Sequence, residues 1–85
     1  LVLVTRDAGK LADAPGTVVI ADTTTPEGAA AAVAQATEAL GAPPQRLVHA
    51  VGSTLIAPLA RTRPEQYRSV MTVNLDSAFF TAQAW

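Results

Sequence analysis

The sequence predicts an α/β domain built on a parallel sheet of three strands with two main helices. Three short apolar runs, a strongly helical segment between the second and third runs, and a second helical pattern after the third run point to this class. Strands that alternate with helices are typical of parallel sheets joined by right-handed crossovers. We therefore expect a single domain over residues 1–85.

The first two predicted strands are short and rich in β-branched residues. Leu1–Thr5 is the first, and the side chain of Asp7 is expected to cap a short helical turn after it. Pro15-Gly16 is a turn signal, and Thr17–Ala21 is the second strand. Both runs are apolar at successive positions, which indicates burial on both faces of the sheet.

The first helix has clear signals at both ends. Thr25 supplies a capping hydroxyl and is followed by Pro26, which suits the first helical position. Glu27 places negative charge near the positive end of the helix dipole. The alanine-rich stretch to Leu40 has high helix propensity, and Gly41 is expected to end it.

The third apolar run, Arg46–Ser53, is the strand around which we expect the chain to be organised. It is apolar on both alternating sets of positions, as a strand in the middle of a parallel sheet is. His49 lies within it, as a hydrogen-bonded core residue or, less commonly, a catalyst. Ligands bind beyond the carboxyl ends of such strands, so Gly52 and Ser53 mark the expected ligand site.

The last helix is predicted to open with a capping box at Thr62-Arg-Pro-Glu65 and to run to the end of the chain. Asn74 falls on its apolar side, where an unpartnered amide would cost about 1–3 kcal/mol. Two explanations stay open: a bond back to a carbonyl one turn earlier, or an irregularity that frees a backbone group for a water chain. A step of 100° per residue places the apolar side at Tyr67, Val70, Met71, Ala78, Ala82 and Trp85.

The composition narrows the classes of partner. A formal net charge of −1 without a basic cluster argues against nucleic acid and anionic membranes. No apolar run approaches the roughly 20 residues of a membrane span. The chain has no cysteine, and no second histidine or acid lies at ligand spacing from His49, so we expect no metal site. A cytoplasmic protein is the default expectation.

Two charged residues at strand ends are candidate ligand-binding groups. Asp22 could accept a hydrogen bond from a ligand amine, or it could cap the loop before Thr25. Arg6 ends the first strand, where a Rossmann-type sheet binds the ribose of a dinucleotide, and no acid stands there to bind a free 2′-hydroxyl. Arg6 could instead pair with a 2′-phosphate, or it could be a solvated charge paired with Asp7.

Four motifs in register resemble the central part of a short-chain dehydrogenase/reductase. His49-Ala-Val-Gly52 stands where that family has Asn-Asn-Ala-Gly, and Val73-Asn-Leu-Asp-Ser-Ala-Phe-Phe80 is similar to its Asn-Leu-x-x-Ala-Phe helix. Residues 3–11 are similar to the family's second strand and following loop, and Ala21-Asp22-Thr23 resembles the Asp-Val that meets the adenine. The resemblance spans nearly the whole chain.

This resemblance implies an NADP-preferring oxidoreductase, with NAD also possible, that transfers hydride between the nicotinamide and a carbonyl or alcohol substrate. It implies a homo-oligomeric parent, and it makes Asn74 the catalytic asparagine, whose backbone carbonyl holds a water of the proton relay. Arg6 would select NADP. The other implied cofactor-binding residues are Asp22 and Thr23 at the adenine, and His49, Ala50 and Gly52 at the nicotinamide ribose.

The resemblance also implies that the domain is incomplete at both ends. The glycine-rich phosphate loop would precede Leu1, and the catalytic Ser, Tyr and Lys would follow Trp85, so this fragment is expected to be inactive alone. His49 and Ala50 replace both asparagines of the family motif, so their side chains would act differently. The competing hypothesis is a non-catalytic α/β module for nucleotide binding or protein association.

The family's strand order, 3-2-1-4, has a consequence for the sheet, because this chain would supply its strands two, three and four. Two arrangements follow from it. Either Leu1–Thr5 and Leu47–Val51 lie on opposite sides of a gap about two strand spacings wide, roughly 10 Å, or the sheet closes to order 3-2-4.

Overall fold

The computed structural model describes residues 1–85, which contain two strands and three α-helical segments. A 3₁₀ turn follows the first strand at Ala8–Leu11, and a second lies at Leu59–Arg61. The strands and helices are β1 (Val2–Thr5), β2 (Thr17–Ile20), α1 (Pro26–Leu40), α2 (Pro64–Met71) and α3 (Ser77–Ala84).

β1 and β2 form a parallel pair, with Val2 opposite Thr17 and Thr5 opposite Ile20. The turn before β2 depends on Gly16, whose φ is 107° and whose Cβ, if present, would lie 2.5 Å from the carbonyl oxygen of Leu1. Only glycine fits both conditions. The 3₁₀ turn after β1 is capped by Asp7, as the sequence predicts.

α1 begins and ends where the sequence predicts. The Thr25 hydroxyl accepts a hydrogen bond from the Gly28 backbone N–H at 3.0 Å, and Pro26 is the first helical residue. Gly41 ends the helix in the left-handed conformation, with a φ of 72°, and its N–H donates to the carbonyl of Glu38. Small side chains let α1 lie close to β1, β2 and α3, all of which it contacts.

The core is small and consists mainly of short side chains. Its buried apolar residues are Val19, Ala29, Ala32 and Ala36, and the buried polar residues are Thr23, Ser77 and Thr81. None of the helices is both long enough and apolar enough to cross a lipid bilayer.

The predicted three-stranded Rossmann-type sheet is wrong, because the sheet has two strands. Residues 46–53 form neither strand nor helix, and their backbone makes no hydrogen bond to another backbone group. An apolar run becomes a strand only when a neighbouring edge pairs with its N–H and C=O groups. β1 does not supply that edge, since a cavity separates it from this segment.

The predicted capping box at the start of the last helix is also wrong in detail. The helix begins at Pro64, and the hydroxyl of Thr62 donates to the carbonyl of Pro58 at 3.0 Å instead of capping it. The side-chain oxygen of Gln66 accepts from the N–H of Arg63 at 2.9 Å. Because Thr62 is already bonded, the cap lies one residue later than the sequence pattern suggests.

A π-helical turn over Thr72–Asp76 joins α2 to α3 without breaking the helix. The N–H of Ser77 donates to the carbonyl of Thr72, five residues earlier. Of the two explanations left open for Asn74, an irregularity in the helix is therefore present. The extra residue shifts the faces that follow it, so the apolar side drawn with a uniform 100° step is wrong for α3: its buried residues are Ser77 and Thr81.

Candidate functional site

An open cleft of about 960 Å³ lies at the carboxyl ends of β1 and β2. Residues that follow the two strands form one side of this polar cleft, and residues 50–53 with Ser69 and Val73 of the last helix form the other. Ligands of parallel sheets bind at this end of the strands.

Five of the residues predicted to bind a cofactor line this cleft together. They are Arg6, Asp22, Thr23, Ala50 and Gly52. The other two predicted site residues, His49 and Asn74, do not line it. Residues from three separate parts of the chain therefore meet at one opening, although the segment that carries Ala50 and Gly52 is not a strand.

Asp22 caps the turn between β2 and α1. Its Oδ1 accepts hydrogen bonds from the Thr24 backbone N–H at 3.0 Å and from the Thr24 hydroxyl at 2.6 Å. These two bonds hold the pKa of the Asp22 carboxyl below its ordinary value of 3.8, and the bond from the Thr24 hydroxyl has the larger effect. The charge of Arg6 lowers the pKa further. Of the two interpretations left open for Asp22, the structure shows the loop cap.

Arg6 and Lys10 are two cationic side chains on the cleft wall, and neither is in an ion pair. The expected alternative for Arg6, a pair with Asp7, is not formed. Oδ1 of Asp7 accepts from the Gly9 N–H at 3.0 Å instead. Sequence reasoning missed Lys10. No motif marks Lys10, which lies within the 3₁₀ turn that Asp7 caps.

Asn74 ties the end of the irregular segment to the π-helical turn. Its Oδ1 accepts from the Ser53 N–H at 3.1 Å, and its Nδ2 donates to the Ser53 carbonyl at 2.9 Å. The same Nδ2 donates to the carbonyl of Val70 at 2.8 Å, which is the bond back along the helix that the sequence left open. A Cβ on Gly52 would lie 2.7 Å from Oδ1 of Asn74, so glycine is needed for this approach.

His49 makes a second tie to the same helix. Its Nε2 lies 3.0 Å from Oγ of Ser77, which is fully buried and donates its proton to the carbonyl of Val73. His49 lines the apolar cavity described next and not the cleft. His49 is hydrogen-bonded, as expected for a core histidine, but it is exposed and therefore not part of the core.

The second cavity, of about 510 Å³, separates β1 from residues 44–51 and is lined mainly by hydrophobic residues. β1 forms backbone hydrogen bonds on one edge only, to β2. Thr81 lines this apolar cavity, and its hydroxyl is buried and has no hydrogen-bond partner. Of the two arrangements implied by the family's strand order, the structure has the gap and not the closed sheet.

The polar cleft offers cations, backbone amides and hydroxyls to a ligand. No three residues of the His, Cys, Asp and Glu type lie close enough together to hold a metal ion. Such a set of groups is suited to binding a phosphorylated or hydroxylated molecule through hydrogen bonds. Comparison of the sequence with family models and with curated proteins gives no match.

Proposed function

We propose that the polar cleft binds NADP and that the chain belongs to an NADP-preferring oxidoreductase of the short-chain dehydrogenase/reductase type. In this proposal the cofactor exchanges hydride with a carbonyl or alcohol substrate, in the cytoplasm and in a homo-oligomeric parent. One observation carries it. Arg6, Asp22, Thr23, Ala50 and Gly52 were predicted from the sequence to bind the cofactor, and all five line one opening at the strand ends.

The charges of the cleft support the choice of NADP over NAD. The carboxylates of Asp7 and Asp22 accept hydrogen bonds from backbone groups of their own turns. Arg6 and Lys10, by contrast, have no acidic partner within ion-pair distance. A guanidinium at the end of a strand can bind a 2′-phosphate through two parallel hydrogen bonds, and an ammonium beside it adds charge.

The π-helical turn supports the proposed role of Asn74. Asn74 lies within Thr72–Asp76, where the backbone departs from the regular helical pattern. Such turns are rare in proteins, and those that occur are often found at functional sites. The proposed contribution of Asn74 is its backbone carbonyl, which would hold a water of the proton relay, while its side chain holds Ser53. Residues 1–85 alone are proposed to bind the cofactor without turnover.

The test is an NMR titration of the ¹⁵N-labelled chain with NADPH and, separately, with NADH. NADPH is expected to shift the amides of residues that line the cleft. Arg6→Asp is expected to weaken NADPH binding by about 1–3 kcal/mol, the value of a lost charged hydrogen bond, and to change NADH binding much less. The matched control is Arg61→Asp, because Arg61 is exposed and lines neither the cleft nor the apolar cavity.

Two results would count against the proposal. An equal loss for both cofactors, or no loss, would reduce Arg6 to a surface charge. Shifts confined to residues outside the cleft would remove the cofactor site and leave the non-catalytic module as the better hypothesis.

A further inference from the structure

Residues 50–52 form one wall of the polar cleft, yet they make no hydrogen bond of their own. The residues on either side of them are each hydrogen-bonded to the last helix. His49 is bonded to Ser77 on one side of them, and Ser53 is bonded to Asn74 on the other. Both partners belong to the π-helical turn or to the residue that follows it. The position of the wall therefore depends on these two ties.

The proton of the His49–Ser77 bond can be assigned from the bonds around it. The Ser77 hydroxyl has one proton, which it donates to the carbonyl of Val73. Its oxygen can then only accept from His49, so Nε2 of His49 must carry a proton. In a neutral imidazole the other nitrogen, Nδ1, is then unprotonated. Ser77 is fully buried, so water does not compete for this acceptor.

We propose that His49 is a positioning residue for the polar cleft: by donating from Nε2 to Ser77 it fixes the wall formed by residues 50–52. Its effect on cofactor affinity rests on the proposed function of the cleft. His49 lines the apolar cavity and not the cleft, so it acts on a bound ligand through the backbone that follows it and not by contact.

The chain has a single histidine, so its ¹⁵N imidazole spectrum reports His49 alone. For the neutral imidazole we expect a protonated Nε2 and an unprotonated Nδ1 in the wild-type chain. Ser77→Ala removes the acceptor and is expected to give a mixture of the two tautomers. A single Nε2–H tautomer that persists in Ser77→Ala, or a mixture in the wild type, would overturn the inference.

A second measurement follows the wall itself. His49→Leu removes the donor, whereas His49→Gln keeps an N–H at the end of the side chain. We expect His49→Leu to move the amide signals of Ala50 and Gly52 and to raise the NADPH dissociation constant about two- to tenfold, the value of one hydrogen bond. His49→Gln is expected to restore both to near the wild type. The matched control, Gln45→Leu, changes a side chain of the same segment that makes no hydrogen bond.

The outcomes separate this inference from the proposed function. Unchanged amide signals in His49→Leu, or a His49→Gln chain that behaves like His49→Leu, would overturn the positioning role. Tautomer and amide changes as expected in a chain that binds no NADPH would uphold the positioning role and remove the proposed cofactor. Circular dichroism of each variant identifies any that has lost its helices, and the imidazole spectrum of the wild type decides the tautomer in every case.

Discussion

α1 and the segment of residues 44–53 are held in place by opposite means. α1 is capped by its own neighbours, since Thr25 bonds to Gly28 three residues away and Gly41 bonds to Glu38. The segment is held by side chains far away in the sequence. Its three ties, from Pro44, His49 and Ser53, join residues that are 41, 28 and 21 positions apart.

α1 keeps its conformation through bonds within the helix, whereas the segment of residues 44–53 keeps its conformation through bonds to side chains of the last helix. The backbone groups of α1 are paired within the helix, so a loss elsewhere leaves them paired. The backbone of the segment pairs with nothing but side chains of the last helix, and large apolar residues on it, such as Val48 at 87% exposed, add little burial. The wall of the polar cleft belongs to this segment.

The largest effect is expected from Gly28→Ala, in α1. A Cβ there would overlap the carbonyl oxygen of Asp22, so the helix would have to move away from the end of β2. We expect a loss of about 3 kcal/mol in the free energy of unfolding, at the upper end of the usual cost of overpacking. Thermal unfolding followed by circular dichroism measures it.

The matched control for Gly28→Ala is Gly41→Ala. A Cβ at Gly41 meets nothing within 4 Å, and only the left-handed conformation is penalised, by roughly 1–2 kcal/mol. A larger loss at Gly41 than at Gly28 would mean that the close approach of α1 to the end of β2 matters less than the end of the helix, and it would contradict this prediction.

Asn74→Ala is expected to have the next largest effect, and this effect should be limited to the segment of residues 44–53. It removes two bonds to Ser53 and one to Val70, at a net cost of about 0.5–1.5 kcal/mol for each bond, because water can bond to the exposed Ser53 backbone in place of Asn74. Hydrogen exchange at the Ser53 amide should quicken, while exchange in α1 should not change. Gln83→Ala, which removes an exposed amide that makes no hydrogen bond, is the control. Equal loss of protection in α1 would break the comparison.

The smallest effect is expected from the pH dependence of the Asp22 cap. The pKa of this carboxyl is lowered in the folded chain, so its contribution to stability is fully present above the ordinary value of 3.8 and is lost as pH falls through the lowered value. Asp22 is exposed, so the effect is screened by solvent. Thr24→Val should raise the pKa toward 3.8, and Thr24→Ser should not. A carbon-13 titration of the carboxyl distinguishes the two.

The elements that were predicted correctly are those whose signals are local. Thr25, Pro26 and Gly41 define α1 without reference to the rest of the chain, and Asp7 defines the turn after β1. Asn74 was identified as out of place because an amide on an apolar helix face needs partners, and the π-helical turn supplies the geometry for them. Each of these inferences used residues within a few positions of one another.

The errors share a physical cause, which is that the deciding partner is distant or already engaged. Residues 46–53 have the composition of a strand but no neighbouring edge to pair with. Thr62 has the spacing of a helix cap, but its hydroxyl is bonded to Pro58. Lys10 was missed because its place on the cleft wall depends on how the 3₁₀ turn packs beside β1 and not on any motif.

The three ties of the segment also define nested loops, and this bears on the order in which the chain folds. The entropy lost in closing a loop grows with the logarithm of its length, by about 0.6 kcal/mol for each doubling, so the innermost loop, from Ser53 to Asn74, is the easiest to close. Once it is closed, His49 lies four positions before Ser53 and Ser77 lies three positions after Asn74, so little further chain has to be ordered to join His49 to Ser77. Closure then proceeds outward to Pro44, whose carbonyl accepts from the indole Nε1 of Trp85 at 2.8 Å. The fluorescence of Trp85, the only tryptophan, is therefore expected to report the closure of the outermost of these three loops.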